Sequence, residues 1–433
     1  MIRRHGTRQA FILFLGDLVS YTLALWLTLF LRYWAFPSRE IFFTHLYPFS
    51  FVFLIWAIVF FIVDLYGRQS SAFDSRLAET VINAQLAGSF LTVLFFYYVP
   101  FFDITPKVTL FLDLFFSLVL IFIWRRYVSQ SLRRGRAERY LFHCHGPEVD
   151  ELKRELSRNQ KYQVVVVDYQ APLAALEVRG ISTIVLNFYD RRSTSETTAC
   201  YRLMVAGVKV ISAHRLFEEV FGRIPLAVIN EQWFFEHVEH ESGLTYQIVK
   251  RLMDLIAGLI LAVISIPFYP FIALAIFIVD RGPIFYREAR VGRDGRTFQI
   301  TKFRSMSTEV DLSCRHMTRI GRILRQTRLD ELPQLWSVVK GEQSLIGPRP
   351  ERPEYVAVYG EQIPYYQARH LITPGLSGWA QIYQERHPHF KLALDATREK
   401  LSYDLYYIKN RSLWLDITIA LKTIKTLLSR VGV

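Results

Sequence analysis

The chain has 433 residues, which is room for about three domains at roughly 150 residues each. Lys and Arg number 52 against 39 Asp and Glu, a formal net charge of +13. Hydrophobic residues make up 51% and the mean hydropathy is +0.18, which excludes a disordered chain. Nucleic acid would explain the charge and not the hydrophobicity, so no nucleic-acid partner is expected. A membrane with anionic lipids explains both.

The three cysteines are Cys144, Cys200 and Cys314, with no C-x-x-C spacing and no even number. This pattern argues against a disulfide framework and against a zinc site. It favours a reducing compartment.

Four long apolar runs open the chain, at residues 10–31, 46–65, 81–102 and 108–124. Each is near the ~20 residues that cross a bilayer core. Lys and Arg are concentrated before the first run, between the second and third, and after the fourth, which places both ends of the bundle in the cytoplasm. A plain anchor is favoured over a transport path marked by Asp17, Asp64 and Asp113, because no charged residue is expected deep inside the spans.

The middle of the chain alternates short β-branched runs with helical patterns. The runs are 140–143, 164–168, 183–188 and 208–212, and the helical patterns include 148–158 and 194–206. This alternation predicts a small parallel sheet. His143-Cys144-His145-Gly146-Pro147 follows the first strand where a dinucleotide-binding fold carries G-x-G-x-x-G, so cofactor binding is not expected there. A metal site on these residues is less favoured than ordinary packing, since neighbouring strand positions point to opposite faces.

A fifth apolar run covers residues 255–279, and Pro267 and Pro270 interrupt its centre. Proline removes helix hydrogen bonds and bends the axis. Basic residues on both sides of the run favour keeping both ends on the cytoplasmic face. We therefore expect a re-entrant helix over about 250–280, with a kinked fifth span as the alternative.

The region after this run is dense in cations and in Gly and Pro. Asp294-Gly295 predicts a hairpin between residues 283–292 and 296–306. The hairpin carries Arg287, Arg290, Lys302 and Arg304, which suit either a phosphate-bearing ligand or a basic patch that faces lipid.

Asp330 and Glu331 form a carboxylate pair in an apolar setting. Such a pair can share a divalent cation, act as nucleophile and helper, or simply open a solvated helix. Gly347-Pro348-Arg349-Pro350 then predicts a fixed phosphate-binding loop or a structural turn. From Leu413 onward the pattern is that of a basic amphipathic helix, for the membrane surface or for packing on the preceding domain.

Five motifs in one order resemble the bacterial monotopic phosphoglycosyl transferases, the polyprenyl-phosphate sugar-1-phosphate transferases, from about Lys250 to the C-terminus. They are Lys302-Phe303-Arg304-Ser305-Met306, Asp330-Glu331-Leu332-Pro333-Gln334-Leu335, Gly347-Pro348-Arg349-Pro350, Pro374-Gly375-Leu376-Ser377-Gly378-Trp379-Ala380-Gln381 and Tyr403-Asp404-Leu405-Tyr406-Tyr407. The four spans and the degenerate nucleotide fold are similar to the large subclass of that family.

The resemblance implies an α/β membrane protein in three parts. These are a four-helix transmembrane bundle (1–138), a small Rossmann-like α/β domain (139–245) and a mixed α/β catalytic domain (246–433) with the re-entrant helix, whose break is at Pro267. It implies a multi-pass protein of the bacterial inner membrane, with its catalytic domain on the cytoplasmic face. A homodimer is also expected from large relatives.

The implied activity is transfer of a sugar 1-phosphate from a UDP-sugar to polyprenyl phosphate, with UMP released, as the first membrane step of exopolysaccharide, capsule or O-antigen synthesis. By the same resemblance Asp330 is the nucleophile and holds Mg²⁺, Glu331 assists the acceptor, and Arg349 binds phosphate. Arg287, Arg290, Lys302 and Arg304 supplement it. Relatives often have Ser before the helix-breaking proline and Ser before the Leu of the dyad motif, where this chain has Ile266 and Arg328. The alternative is a non-catalytic membrane scaffold for polysaccharide assembly.

Overall fold

The computed structural model describes residues 2–66, 75–98, 107–133, 138–158, 162–166, 181–189, 194–238, 243–308, 316–384 and 393–429. The chain forms two compact units, Met1–Ala137 and Glu138–Val433.

The first unit is helical. Its helices are α1 (Ile2–Tyr33), α2 (Arg39–Ile62), α3 (Ser75–Tyr98) and α4 (Lys107–Arg133). Each contains a segment long and apolar enough to cross a membrane, namely Ala10–Tyr33, Arg39–Ile62, Ala78–Tyr97 and Val108–Val128. The prediction of four candidate spans is therefore confirmed.

Ionisable side chains lie inside this bundle. The Asp17 carboxylate accepts a hydrogen bond of 2.6 Å from the Arg125 guanidinium, and both side chains are buried between α1 and α4. Asp113 on α4 is fully buried, and neither of its carboxylate oxygens has a hydrogen-bond partner among the residues that the structure describes. The expectation that no charged residue type lies deep in the spans is thus wrong, because helix α4 turns Asp113 toward the bundle interior and away from lipid.

The second unit begins with a four-stranded sheet in the order β2-β1-β3-β4, with every neighbouring pair parallel. The strands are β1 (Glu138–His143), β2 (Tyr162–Val166), β3 (Thr183–Leu186) and β4 (Lys209–Ser212). Helices α5 (Pro147–Ser157), α6 (Thr194–Val205) and α7 (Ala213–Phe221) lie between or after them. The predicted small parallel sheet is confirmed, and its buried Leu141, Ile184 and Leu186 explain the β-branched and aliphatic runs.

The sheet is tied to the rest of the unit by carboxylates of α5. Glu148 accepts hydrogen bonds from the backbone amides of Leu226 and Ala227, at 2.8 and 2.9 Å. Glu151 accepts a bond of 2.6 Å from Arg223. The short helix α8 (Glu231–His237) follows and buries Trp233.

A bent pair of helices then carries the fifth apolar run. α9 (Leu244–Ser265) and α10 (Phe268–Val279) meet at an angle of 55°. Pro267 lies in the break, and the Ser265 hydroxyl donates 2.6 Å to the Ala262 carbonyl. Ser265 thus supplies a backbone contact at the bend, where Ile266 cannot.

The remaining elements surround two apolar clusters, a larger core that includes Leu401 and Leu405 and a smaller one around Phe303. Strands β5 (Phe285–Val291) and β6 (Thr297–Phe303) form an antiparallel hairpin. Asp294 and Gly295 in its turn have φ of 56° and 74°, which confirms the hairpin predicted from Asp294-Gly295. The later elements are α11 (Arg319–Gln326), a 3₁₀ helix (Leu329–Gln334), α12 (Leu335–Lys340), β7 (Ser344–Ile346), α13 (Pro353–Gln362), a second 3₁₀ helix (Tyr366–Leu371), β8 (Gly375–Ser377), α14 (Trp379–Tyr383), α15 (Leu394–Asn410) and α16 (Leu413–Ser429).

The C-terminal helix α16 lies against the larger core and exposes part of its apolar surface. Ile419 is fully buried, whereas Trp414, Ile417, Ile424 and Leu427 are exposed. The helix predicted from Leu413 and its packing on the preceding domain are confirmed, and a position at the membrane surface stays a prediction.

Candidate active site

The carboxylate pair is presented by the 3₁₀ helix Leu329–Gln334, which packs against strand β6. Leu329 and Leu332 enter an apolar cluster with Phe303 of β6. These apolar anchors fix the short helix, and the intervening Asp330 and Glu331 are left on the side that faces Lys302 of the hairpin. Arg328, just before the helix, has φ 56° and ψ 16°, a left-handed conformation that costs a non-glycine residue free energy.

Glu331 is the centre of the ion pairs at the site. Its Oε1 accepts hydrogen bonds from Lys302 Nζ, at 2.9 Å, and from the Arg349 guanidinium. Arg328 Nη1 lies 3.8 Å from the other oxygen, Oε2. These cations hold the pKa of Glu331 well below its ordinary value, so the side chain stays a carboxylate.

The pKa of Asp330 is shifted in the opposite direction. Its side chain is buried, and Oδ1 has no hydrogen-bond partner among the described residues. Burial and the neighbouring Glu331 raise its pKa from 3.8 to about 6, against the lowering effect of Lys302, Arg325 and Arg349. A buried carboxylate oxygen without a donor is weakly solvated, which is the condition of a reactive nucleophile.

Arg349 reaches the pair from a rigid loop, residues 347–350, that follows β7. Strand β7 pairs in parallel with β8, with Ser344 opposite Gly375 and Ile346 opposite Ser377. The motif that begins at Pro374 therefore lies beside the loop. A Cβ atom on Gly375 would fall 2.1 Å from the Gly347 amide nitrogen, so only glycine permits this approach.

The other predicted cations are distributed more widely. Arg290 is bound to Glu288 and donates to the Pro350 carbonyl at 3.1 Å. Arg304 is buried and pairs with the carboxylate and the carbonyl of Asp280, at the end of α10. Arg287 is exposed on β5. The structure brings Lys302 and Arg349 to the carboxylate pair. Arg290 and Arg304 instead bind other parts of the protein.

Four charged residues behind the loop, three of them buried and Glu351 half-buried, were given no role by the sequence analysis. They are Glu351, Arg369, Lys400 and Asp404. A signal did exist for two of them, because Lys400 and Asp404 share the helical stripe of Leu401, Leu405 and Ile408 on α15. A charged residue on an apolar stripe indicates a buried ion pair.

The described residues contain no group of three or more His, Cys, Asp or Glu side chains that could hold a metal ion. Mg²⁺ binds proteins through one or two carboxylates, with substrate phosphates and water completing its ligands. The unpartnered Oδ1 of Asp330, beside a second carboxylate, fits that donor set.

The chain matches a family model described as "Bacterial sugar transferase" over residues 245–430. It is 38% identical over 188 residues to the UDP-glucose:undecaprenyl-phosphate glucose-1-phosphate transferase of Caulobacter vibrioides, and the match covers 42% of this chain and 70% of that relative. It is 35% identical over 195 residues to the exopolysaccharide production protein PSS of Rhizobium leguminosarum, covering 42% of this chain and 96% of the relative. The chain belongs to the bacterial sugar transferase family. The family predicted from the five motifs is thereby confirmed.

Other relatives are matched over a smaller share of their length. The chain is 37% identical over 243 residues to the UDP-N-acetylgalactosamine-undecaprenyl-phosphate N-acetylgalactosaminephosphotransferase of Aeromonas hydrophila, covering 53% of this chain and 55% of that relative. It spans 35% of a second relative, the undecaprenyl-phosphate glucose phosphotransferase of Komagataeibacter xylinus. All five motifs, with Lys302, the carboxylate pair and Arg349, fall inside the sugar transferase range, residues 245–430.

Proposed function

We propose that this sugar transferase moves a sugar 1-phosphate from a UDP-sugar to undecaprenyl phosphate, with release of UMP. The observation that carries the proposal is a pair of adjacent, differently held carboxylates. Asp330 is buried and its Oδ1 has no hydrogen-bond partner among the described residues, while Glu331 is held by Lys302 and Arg349. Relatives whose names state this reaction support the choice of substrates. The product is undecaprenyl diphosphate-sugar, the lipid that begins an exopolysaccharide, capsule or O-antigen.

The reaction proceeds in two displacements. An oxygen of the Asp330 carboxylate bonds to the β-phosphorus of the UDP-sugar, and the bond from that phosphorus to the bridging oxygen breaks, so that UMP leaves with the electron pair. A phosphate oxygen of undecaprenyl phosphate then bonds to the same phosphorus. The Asp330–phosphorus bond breaks and the carboxylate is restored. Asp330 would hold Mg²⁺, which when bound neutralises charge on the diphosphate.

Glu331 positions cations and does not accept a proton in this scheme. A carboxylate whose pKa is depressed by Lys302, Arg349 and Arg328 is too weak a base for that task. It holds Lys302 and Arg349 beside Asp330 until the substrate phosphates replace it as their partner.

The setting follows from the two substrates, since a polyprenyl chain stays in the bilayer while a nucleotide sugar stays in the cytosol. We infer that the bent pair α9–α10 enters the membrane and returns, with both ends on the cytoplasmic face of the bacterial inner membrane. The 55° bend at Pro267 and the cations on both sides of the pair support this topology. The parallel sheet is a degenerate Rossmann-like domain in this scheme, and the homodimer remains a prediction.

The test is UMP release by the full-length protein in nanodiscs. The reaction contains Mg²⁺, undecaprenyl phosphate and each of a panel of UDP-sugars, and Asp330→Asn is assayed alongside. Asp294→Asn in the exposed hairpin turn is the matched control, because asparagine tolerates its left-handed backbone. We expect release with at least one donor, retained in the control and lost in Asp330→Asn. A folded wild-type protein without release from any donor would favour the non-catalytic scaffold.

A further inference from the structure

The loop that carries Arg349 rests on a buried set of charges. Arg369 lies in the second 3₁₀ helix and Asp404 on α15, and each is almost completely buried. Glu351 and Lys400 are paired with each other beside them. Two cations and two carboxylates make the set neutral, so it has no net charge with which to attract a substrate.

Arg369 uses its guanidinium to join the loop to this set. Its Nη2 donates to the backbone carbonyl of Arg349 at 2.8 Å and to Asp404 Oδ2 at 2.9 Å. Its Nη1 donates to the Tyr366 hydroxyl at 2.8 Å and lies 3.8 Å from Glu351 Oε1. One side chain thus holds the peptide of the residue whose own side chain binds Glu331.

Stability alone does not explain such a set. Apolar side chains of similar volume often stabilise a fold as well as a buried ion pair or better, because the charges must lose their hydration. What a guanidinium adds is fixed geometry, since its planar fork holds several acceptors at once.

The loop has one place where that geometry matters. Pro348 and Pro350 fix their own φ angles, and a residue before proline is restricted to extended conformations. Arg349 precedes Pro350, so its own φ and ψ angles are confined to the extended region but still vary there by roughly 40° or more. The hydrogen bond from Arg369 to the Arg349 carbonyl narrows this range. Arg290 donates a hydrogen bond to the next carbonyl, that of Pro350. Two successive carbonyls of the loop are therefore each held by an arginine side chain.

We propose that Arg369, oriented by Asp404, is a positioning residue that fixes the Arg349 peptide so that the Arg349 side chain stays directed at Glu331 and the transferred phosphate. This inference rests on the proposed function. Arg369 touches neither the carboxylate pair nor the substrate and acts only through Arg349.

The test is a double-mutant cycle in the full-length protein in nanodiscs, with Arg369→Lys and Arg349→Lys made singly and together. Lysine keeps a positive charge for Asp404 but lacks the planar fork with which Arg369 spans Asp404, the Arg349 carbonyl and Tyr366. We expect Arg369→Lys to lower kcat by ten- to a hundredfold in the wild-type background, with KM for the UDP-sugar changed less than threefold. In the Arg349→Lys background the same change should lower kcat less than threefold, because its route of action is already lost.

The control is Lys409→Met, which removes a cation that pairs with Glu218 at 2.6 Å, away from the loop. Its effect should be the same in both backgrounds. Equal losses from Arg369→Lys in both backgrounds, or an unchanged kcat, would overturn the positioning role.

Amide hydrogen exchange of the peptide that contains residues 347–352 gives a readout independent of activity. Arg369→Lys should raise its exchange rate at least tenfold, and Lys409→Met should not. An unchanged rate overturns the inference even if the enzyme is active. A wild-type protein that releases no UMP overturns the proposed function, and the exchange result still decides whether Arg369 fixes the loop.

Discussion

Replacement of Asp330 by asparagine should abolish activity and stabilise the protein at alkaline pH. The pKa of Asp330 is raised from 3.8 to about 6 because the carboxylate is buried beside Glu331. Ionising this buried carboxylate lowers the free energy of unfolding. The loss is absent below pH 3.8, grows as the pH rises, and is complete above about pH 6. A difference of about two pH units corresponds to about 3 kcal/mol.

Asparagine removes this cost and leaves a neutral amide in the same buried place. We therefore expect Asp330→Asn to raise the free energy of unfolding by about 1–3 kcal/mol at pH 8, or roughly 3–10 °C in Tm. At pH 4 the side chain is almost fully protonated in the folded wild type, two pH units below its pKa of about 6, and the difference should largely disappear. UMP release by the wild type should fall as the pH drops through about 6, because only the ionised carboxylate is a nucleophile.

The assay is thermal unfolding of the full-length protein followed by tryptophan fluorescence at pH 4 and pH 8. Glu331→Gln is the matched control with the opposite sign. The pKa of Glu331 is lowered by Arg349 and Lys302, so its carboxylate stabilises the fold at neutral pH, and this contribution is lost as the pH falls. Glu331→Gln should therefore lower Tm at pH 8. An Asp330→Asn variant with the wild-type Tm at pH 8, or with the same gain at both pH values, would refute the argument.

Two further predictions concern backbone geometry at the site. Arg328 has φ 56°, so Arg328→Asn, which tolerates that conformation, should change unfolding free energy by less than about 0.5 kcal/mol, whereas Arg328→Val should cost about 1–2 kcal/mol. Both should lower kcat/KM about tenfold by removing one cation, and a loss confined to the valine variant would show that charge is not involved. Gly375→Ala would place Cβ against the Gly347 backbone and should destabilise by at least about 2 kcal/mol in thermal unfolding. Gly243→Ala, where nothing lies within 4 Å, should be nearly neutral, and equal Tm values for the two would contradict the steric argument.

The family and its main elements could be predicted from the sequence because they depend on local signals. Long apolar runs set the four spans, and the pattern of β-branched residues set the parallel sheet. Asp294 and Gly295 set the hairpin turn. The carboxylate pair and the loop around Arg349 were recognisable because the residues of each motif are adjacent in the chain.

The states of those residues depend on contacts between distant segments. Lys302 and Glu331 are 29 positions apart, and Arg369 and Asp404 are 35 apart. The motifs predict that four cations of the hairpin bind phosphate. In the structure, however, Arg304 pairs with Asp280, and Arg290 pairs with Glu288 and donates to the Pro350 carbonyl of the loop. No local pattern reports which partner a long basic side chain will meet.

The sequence by itself determined the family, the order of the elements and the residues from which the site is built, because apolar periodicity, turn residues and contiguous motifs are properties of short segments. Only the tertiary structure decided that Asp113 faces the bundle interior and that Arg369 bonds to the Arg349 loop. It also decided that Asp330 is desolvated, whereas Glu331 is paired with cations. Burial and ion pairing arise only when segments far apart in the chain are packed together, and these two quantities set the pKa and the orientation of each group.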